Sequence, residues 1–68
     1  MRAYNVHILA EDASGNRVKF VEVAEYPDRP TDRSGCVSEE VREAKAIRQV
    51  RQRMPHLQNV RAEWSIHV

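Results

Sequence analysis

The stretch VRAEWSIHV, residues 60–68, alternates apolar and polar side chains without interruption. A period of two residues is typical of a β-strand with two unlike faces. The apolar set, which we expect to face the core, is Val60, Ala62, Trp64, Ile66 and Val68, and the set on the opposite face is Arg61, Glu63, Ser65 and His67. Burial of Trp64, the only tryptophan, predicts that Trp64→Ala costs about 3–5 kcal/mol of stability.

An amphipathic helix is predicted immediately before this strand. Ser38 is a good N-cap residue, and Glu39 and Glu40 place negative charge on the first turn. Pro55 is expected to end the helix near Arg53. The predicted apolar face recurs at three-to-four spacing and consists of Val37, Val41, Ala44, Ile47, Val50 and Met54.

Two further strands are predicted towards the N-terminus. Residues 3–10 alternate cleanly, residues 17–25 are rich in valine, and the turn formers between them predict a hairpin closed near Ser14, Gly15 and Asn16. The second strand has an ambiguous pattern, because Phe20 and Val21 compete for the core. Either both of its faces are partly covered, or a bulge near Phe20 switches them.

These elements predict a single α+β domain over residues 1–68, with the order β-β-α-β. A right-handed crossover places the last strand beside the first. The result is a two-layer fold with a three-stranded antiparallel sheet in the order 2-1-3 and one helix on one face. The segment at about 26–36 holds prolines and turn formers, so we expect it to be a surface loop.

Length and composition limit the function classes. A chain of 68 residues with 41% hydrophobic and 31% charged residues fits a compact but marginal domain. The single cysteine, Cys36, excludes an internal disulfide, so we expect packing and association to supply the stability. The sequence has no apolar run long enough to span a membrane and no signal-peptide core, which predicts a cytoplasmic protein.

The leading hypothesis is a small non-catalytic protein-interaction module that acts as a homo-oligomer, an accessory subunit or an inhibitor subunit. The predicted sheet has one face without a helix, and its covering partner would be a second copy, giving a homodimer, or another protein. The predicted partner-binding residues on that face and in the loop are Asn5, His7, Leu9, Val21, Val23, Arg29, Arg33, Ser65 and His67. The alternative is that these are scattered surface residues, which are normal on any domain.

Nucleic-acid binding is the alternative function. Residues 1–40 carry 5 basic and 8 acidic side chains, whereas residues 41–68 carry 6 and 2. The predicted outward face of the helix would contact phosphates through Arg42, Lys45, Arg48 and Arg53. Against this, acidic residues at the start of a helix and basic residues at its end are what any solvated helix favours.

Enzymatic and cofactor chemistry is not predicted. Cys36 precedes a helix N-terminus, a position that can activate a thiol, but a small packed cysteine is the simpler interpretation. His7 and His67, with Cys36 or His56, lack the short fixed spacing of zinc ligands. We therefore assign no catalytic residue, metal or cofactor.

Overall fold

A computed structural model describes residues 2–26 and 37–68 of the protein. The elements are β1 (Arg2–Glu11), β2 (Arg17–Tyr26), α1 (Glu39–Arg53) and β3 (Gln58–His67). Both strand pairs are antiparallel and the sheet order is β2-β1-β3, which confirms the predicted fold class. Tyr26 ends β2, and the rest of the predicted loop, with Arg29, Arg33 and Cys36, lies outside the described residues.

The β1–β2 hairpin closes through an aspartate-centred turn. The Asp12 carboxylate accepts backbone hydrogen bonds from Ser14 and Asn16, each at 2.9 Å. The bond from Asn16 is the main reason that the pKa of Asp12 lies below its ordinary value. Gly15 adopts φ +84°, a conformation that a residue with a Cβ rarely takes.

Pairing between β1 and β2 is continuous, which resolves the ambiguity of the second strand. Phe20 pairs with Ile8, and Val21 pairs with His7. Phe20 packs against the core under the helix, whereas Val21 lies on the other face and is exposed. Neither predicted alternative holds, because β2 has no bulge near Phe20 and its face away from the helix is exposed.

The core lies between α1 and one face of the sheet. Its buried members are Val6, Ile8, Ala10, Ala24, Ala46, Val50 and Val60. Ser38 caps the helix as predicted, with its hydroxyl accepting from the amide of Val41 at 3.3 Å. The small Ala24 and Ala46 allow the helix to approach the sheet closely.

A β-bulge in β3 overturns the predicted faces of that strand. His7 pairs with Trp64, but the next residue, Ile8, pairs with Ala62, so Glu63 is an extra residue on β3. An extra residue reverses the alternation beyond it. Val60 is therefore buried on the helix side as expected, whereas Trp64, Ile66 and Val68 are exposed.

The predicted apolar face of the helix also needs correction. Val41 is 53% exposed and Ala44 is exposed, while Ala46 and Val50 are fully buried. The bulge explains the difference, because it turns the polar Ser65 towards α1. Arg42 and Glu43, which hydrogen bond to Ser65, therefore occupy the sheet-facing positions at the start of the helix.

Tyr26 supplies a first testable prediction. Its hydroxyl is buried and has no hydrogen-bond partner among the described residues, and desolvation raises its pKa above 10.0. Tyr26→Phe should raise the free energy of unfolding by about 1 kcal/mol, since an unsatisfied buried hydroxyl is removed. Because the pKa of Tyr26 is raised in the folded state, the contribution of its protonated form to stability is fully present below pH 10 and is lost as the pH rises through the folded-state pKa. The phenylalanine variant has no such loss. The advantage of Tyr26→Phe should therefore grow above pH 10.

Denaturant unfolding at neutral and alkaline pH measures both effects. Tyr4→Phe is the matched control, because the Tyr4 hydroxyl accepts a hydrogen bond from the amide of Val37 at 3.0 Å. The control should lose stability where Tyr26→Phe gains it. Equal losses in the two variants would contradict the unsatisfied state of the Tyr26 hydroxyl.

Candidate interaction surface

The sheet face opposite α1 has no covering element among the described residues, and we call it the open face. Cross-strand pairing arranges its side chains in rows that run across β2, β1 and β3. The four central rows are Glu25–Ala3–Val68, Val23–Asn5–Ile66, Val21–His7–Trp64 and Lys19–Leu9–Arg61. Val68 joins the first row through a hydrogen bond from its amide to the carbonyl of Ala3 at 2.9 Å.

The open face concentrates the exposed apolar surface of the described residues. Six large hydrophobic side chains are exposed, and all but Val41 lie on this face. The five are Val21, Val23, Trp64, Ile66 and Val68, with exposures from 42% to 69%. They lie on the two edge strands, with Asn5 and His7 of β1 between them. This is more concentrated than the scattered distribution that is ordinary on a protein surface.

Trp64 lies about halfway along the edge strand β3 and stacks on His7 of the central strand. The two rings stack with centroids 3.6 Å apart and an angle of 15° between their planes. Half of the Trp64 side chain remains exposed. The stacking therefore restricts the conformational freedom of an exposed aromatic ring.

The structure places five of the predicted partner-binding residues on the open face, namely Asn5, His7, Leu9, Val21 and Val23. Leu9 is buried, with 8% exposure, and so offers little surface to a partner. Ser65 and His67 do not join them. Ser65 bonds to α1, and the His67 ring lies 4.8 Å from that of the buried Tyr4. Both residues are therefore on the helix side, a correction that follows from the bulge at Glu63.

Sequence reasoning missed Trp64, Ile66 and Val68 as members of the open face. The uninterrupted alternation of residues 60–68 favours a regular strand and contains no signal for an extra residue. The signal lies instead in the side chains of α1 that pack on β3. A helix that presents Arg42 and Glu43 to the sheet requires a polar residue such as Ser65 beneath them, which only a shifted β3 can supply.

Arg42 is a structural residue rather than an outward basic group. Its side chain is 12% exposed, and it donates to the Ser65 hydroxyl at 2.6 Å, the Ser65 carbonyl at 3.3 Å and the Val37 carbonyl at 3.1 Å. The guanidinium also lies 4.6 Å from the centroid of the Tyr4 ring, a cation–π arrangement. The predicted outward position of Arg42 is therefore wrong.

Three more polar side chains of α1 turn towards β2. Lys45 donates to the carbonyl oxygen of Glu25 and lies 4.1 Å over the Tyr26 ring. Gln49 donates to the carbonyl oxygen of Val23 at 3.0 Å. These contacts occupy backbone acceptors on the outer edge of β2, which protects that edge from pairing with another strand.

Arg53 completes this row by forming an ion pair with the buried carboxylate of Glu22, which also accepts from Gln49 at 2.9 Å. Among the four basic residues proposed for nucleic acid, Arg42, Lys45 and Arg53 are thus engaged by the sheet, and Arg48 is exposed. Of the four, Arg42 is withdrawn from the surface, whereas Arg53 remains 59% exposed despite its ion pair.

A groove of about 450 Å³ runs between α1 and β2, lined by Val21, Glu22, Val23, Gln49, Gln52 and Arg53. Both carboxylate oxygens of Glu22 have partners, Arg53 on one and Gln49 on the other. The Glu22 carboxylate is therefore held by an ion pair and a hydrogen bond from α1.

The described residues contain no group of three or more histidine, cysteine, aspartate or glutamate side chains that could hold a metal ion. His7 lies on the open face and His67 on the helix side, so the two do not face each other. Within residues 2–26 and 37–68, α1 is too short and too polar to cross a bilayer.

Comparisons with protein-family models, with curated proteins and with solved structures found no match.

Proposed function

We propose that this protein is a small non-catalytic interaction module that binds a protein partner through its open face. The observation that carries the proposal is the collection of five exposed apolar side chains on one sheet face. The partner is expected to present a matching apolar sheet surface, because sheets pack face to face through interdigitating side chains about 10 Å apart. The proposed site of action is the cytoplasm.

The arrangement of the open face resembles the anatomy of known interfaces. The two middle rows form an apolar centre through Val21 and Val23 on β2 and Trp64 and Ile66 on β3, with Asn5 and His7 between them. Charged residues, Lys19 and Arg61 among them, lie beyond it. Interfaces commonly have an aromatic-rich core inside a polar rim, and a central tryptophan is a frequent source of binding energy. We therefore place Trp64 at the energetic centre of the surface.

The proposal favours protein over nucleic acid for a specific reason. Phosphate binding requires accessible cationic groups, and the sheet contacts withdraw Arg42, at 12% exposure, and engage Lys45. The open face offers apolar contacts instead. A role as accessory or inhibitor subunit and a role as homodimer both use the same face.

Site-specific photo-cross-linking tests the proposal. A benzophenone amino acid in place of Ile66, on the open face, should give protein adducts in expressing cells or in purified protein. The same group in place of Ala44, which is exposed on the helix, is the matched control. We expect the yield at position 66 to exceed that at position 44 by about tenfold, since only a bound surface holds a partner within reach of the probe.

Three results would overturn the proposal. These are equal labelling at positions 66 and 44, no protein adduct at position 66, and an adduct at position 66 to nucleic acid. Each would mean that the open face is an ordinary surface or serves another ligand class.

A further inference from the structure

Charges on the open face have opposite signs on the two sides of the apolar centre. On β2 the outward-facing sequence is Lys19, Val21, Val23 and Glu25, with all four side chains exposed. Arg61 lies in the same row as Lys19 and adds to the positive end. Val21 and Val23 are equally distant from the midpoint between them, and Lys19 and Glu25 are equally distant from the same point.

We infer that the occupant of the open face is a second copy of this chain, related by a twofold axis that lies in the interface and runs across the strands. The inference rests on the proposed role of the open face. The axis passes between the two apolar rows, so it places Val21 over the partner's Val23 and Trp64 over the partner's Ile66. It also places Lys19 opposite the partner's Glu25, twice in each dimer.

The charge pattern selects this axis over the alternative. A twofold axis parallel to the strands would lay β2 over the partner's β3 at the same height. Lys19 would then face the partner's Arg61, and like charges opposed across an interface are costly. The transverse axis instead brings Lys19 and Glu25 together and keeps Val21, Val23, Trp64 and Ile66 against one another. It places Arg61 opposite the partner's Val68.

Lys19 and Glu25 do not pair with each other within one chain. Lys19 and Glu25 are six residues apart on β2, which is about 20 Å in an extended strand. Sheets stacked about 10 Å apart allow a lysine and a glutamate from opposite faces to meet. Two identical self-complementary surfaces are the usual basis of a twofold dimer.

The size of the face predicts a dimer of modest affinity. Three strands at about 4.8 Å spacing, over an apolar length of about 20 Å, give a face well below the roughly 800 Å² that each partner contributes to a standard interface. Dissociation should therefore occur within the micromolar range that light scattering covers.

Charge-reversal variants test the arrangement by light scattering over a concentration series. At about 50 mM salt, Lys19→Glu or Glu25→Lys alone should raise the dimer Kd by about tenfold, since each change opposes like charges at two places. The double variant should return the Kd to within about threefold of wild type. At about 500 mM salt the differences should shrink, because screening weakens exposed charge pairs.

Mixing the two single variants is the sharpest measurement. One chain then carries Glu at 19 and 25 and the other carries Lys at both, so the transverse axis makes both pairs attractive. We expect a one-to-one heterodimer at concentrations where each variant alone is monomeric. Arg51→Glu and Glu40→Lys, which make the same charge changes on the exposed side of the helix, should leave the Kd unchanged.

Several outcomes would overturn the inference. A tighter dimer for Lys19→Glu alone would support the axis parallel to the strands, and failure of the mixed variants to associate would exclude the transverse one. A monomeric wild type whose position-66 probe captures a different protein would reject the second copy while leaving the proposed function intact. A monomeric wild type without any protein adduct at position 66 would reject both.

Discussion

Ile8→Ala should lower the free energy of unfolding by about 2–5 kcal/mol, whereas the same change at Ile66 should have little effect on the isolated chain. Ile8 is 1% exposed and packs in the core beneath α1, while Ile66 is 53% exposed. Removing buried methyl and methylene groups loses their transfer free energy and leaves a cavity. The two substitutions are chemically identical and differ only in burial.

The consequence should be large for a chain of this length. Stabilities of about 0.05–0.15 kcal/mol per residue mean that one core truncation can remove most of the total. Ile8→Val, with an expected cost of about 0.5–1.5 kcal/mol, keeps the comparison measurable if Ile8→Ala is unfolded. Ile66→Val is its matched control.

Denaturant unfolding at several protein concentrations measures this pair. The loss in Ile8→Ala should appear at every concentration, because the core exists in the single chain. The loss in Ile66→Ala should grow with concentration, because it reports lost association. A large, concentration-independent loss in Ile66→Ala would mean that β3 is regular and that Ile66 belongs to the core.

Arg42→Ala should lower the free energy of unfolding by about 2–4 kcal/mol. The change removes charge-assisted bonds to Ser65 and Val37 and the contact with the Tyr4 ring. The carbonyl oxygen and the hydroxyl of Ser65 would both lose a donor beneath α1. Arg42→Lys should recover only part of the loss, since an ammonium group lacks the planar fork that spans these acceptors.

Arg48→Ala is the control, because Arg48 is exposed on the same helix. Its effect on stability should stay within about 0.5 kcal/mol. Fluorescence anisotropy with mixed-sequence DNA separates the structural role from nucleic-acid binding. Our assignment of these arginines would be reversed by two results together. The wild type would bind DNA and Arg48→Ala would weaken that binding, while Arg42→Ala would leave the stability unchanged.

Local patterns predicted most of the secondary structure. Ser38 and Pro55 bracket α1, the turn formers around Gly15 close the hairpin, and clean alternation in residues 3–10 sets the faces of β1. These features depend on neighbouring residues, which the sequence displays directly. The sequence left undecided which side of β2 faces the core, and the pairing of β2 with β1 decides it.

The candidate surface was only partly predictable. The strand patterns predict which residues share a sheet face, and a single helix can cover only one of the two faces. Together these two facts place on the uncovered face Asn5, His7, Leu9, Val21 and Val23. Ser65, His67 and Trp64 were placed on the wrong faces, since a strand pattern cannot reveal where its partner skips a residue. The helix face was misjudged for the same reason, because Arg42 turns inward only when Ser65 is below it.

The sequence by itself determined the element order, the helix boundaries and the topology β2-β1-β3, because capping, turn chemistry and crossover handedness are local or generic constraints. The tertiary structure alone decided that β3 bulges at Glu63 and so brings Trp64 and Ile66 to the open face. A bulge exchanges one strand's regular pairing for better contacts with its neighbours. Here those contacts are between Ser65 and α1, and between His7 and Trp64.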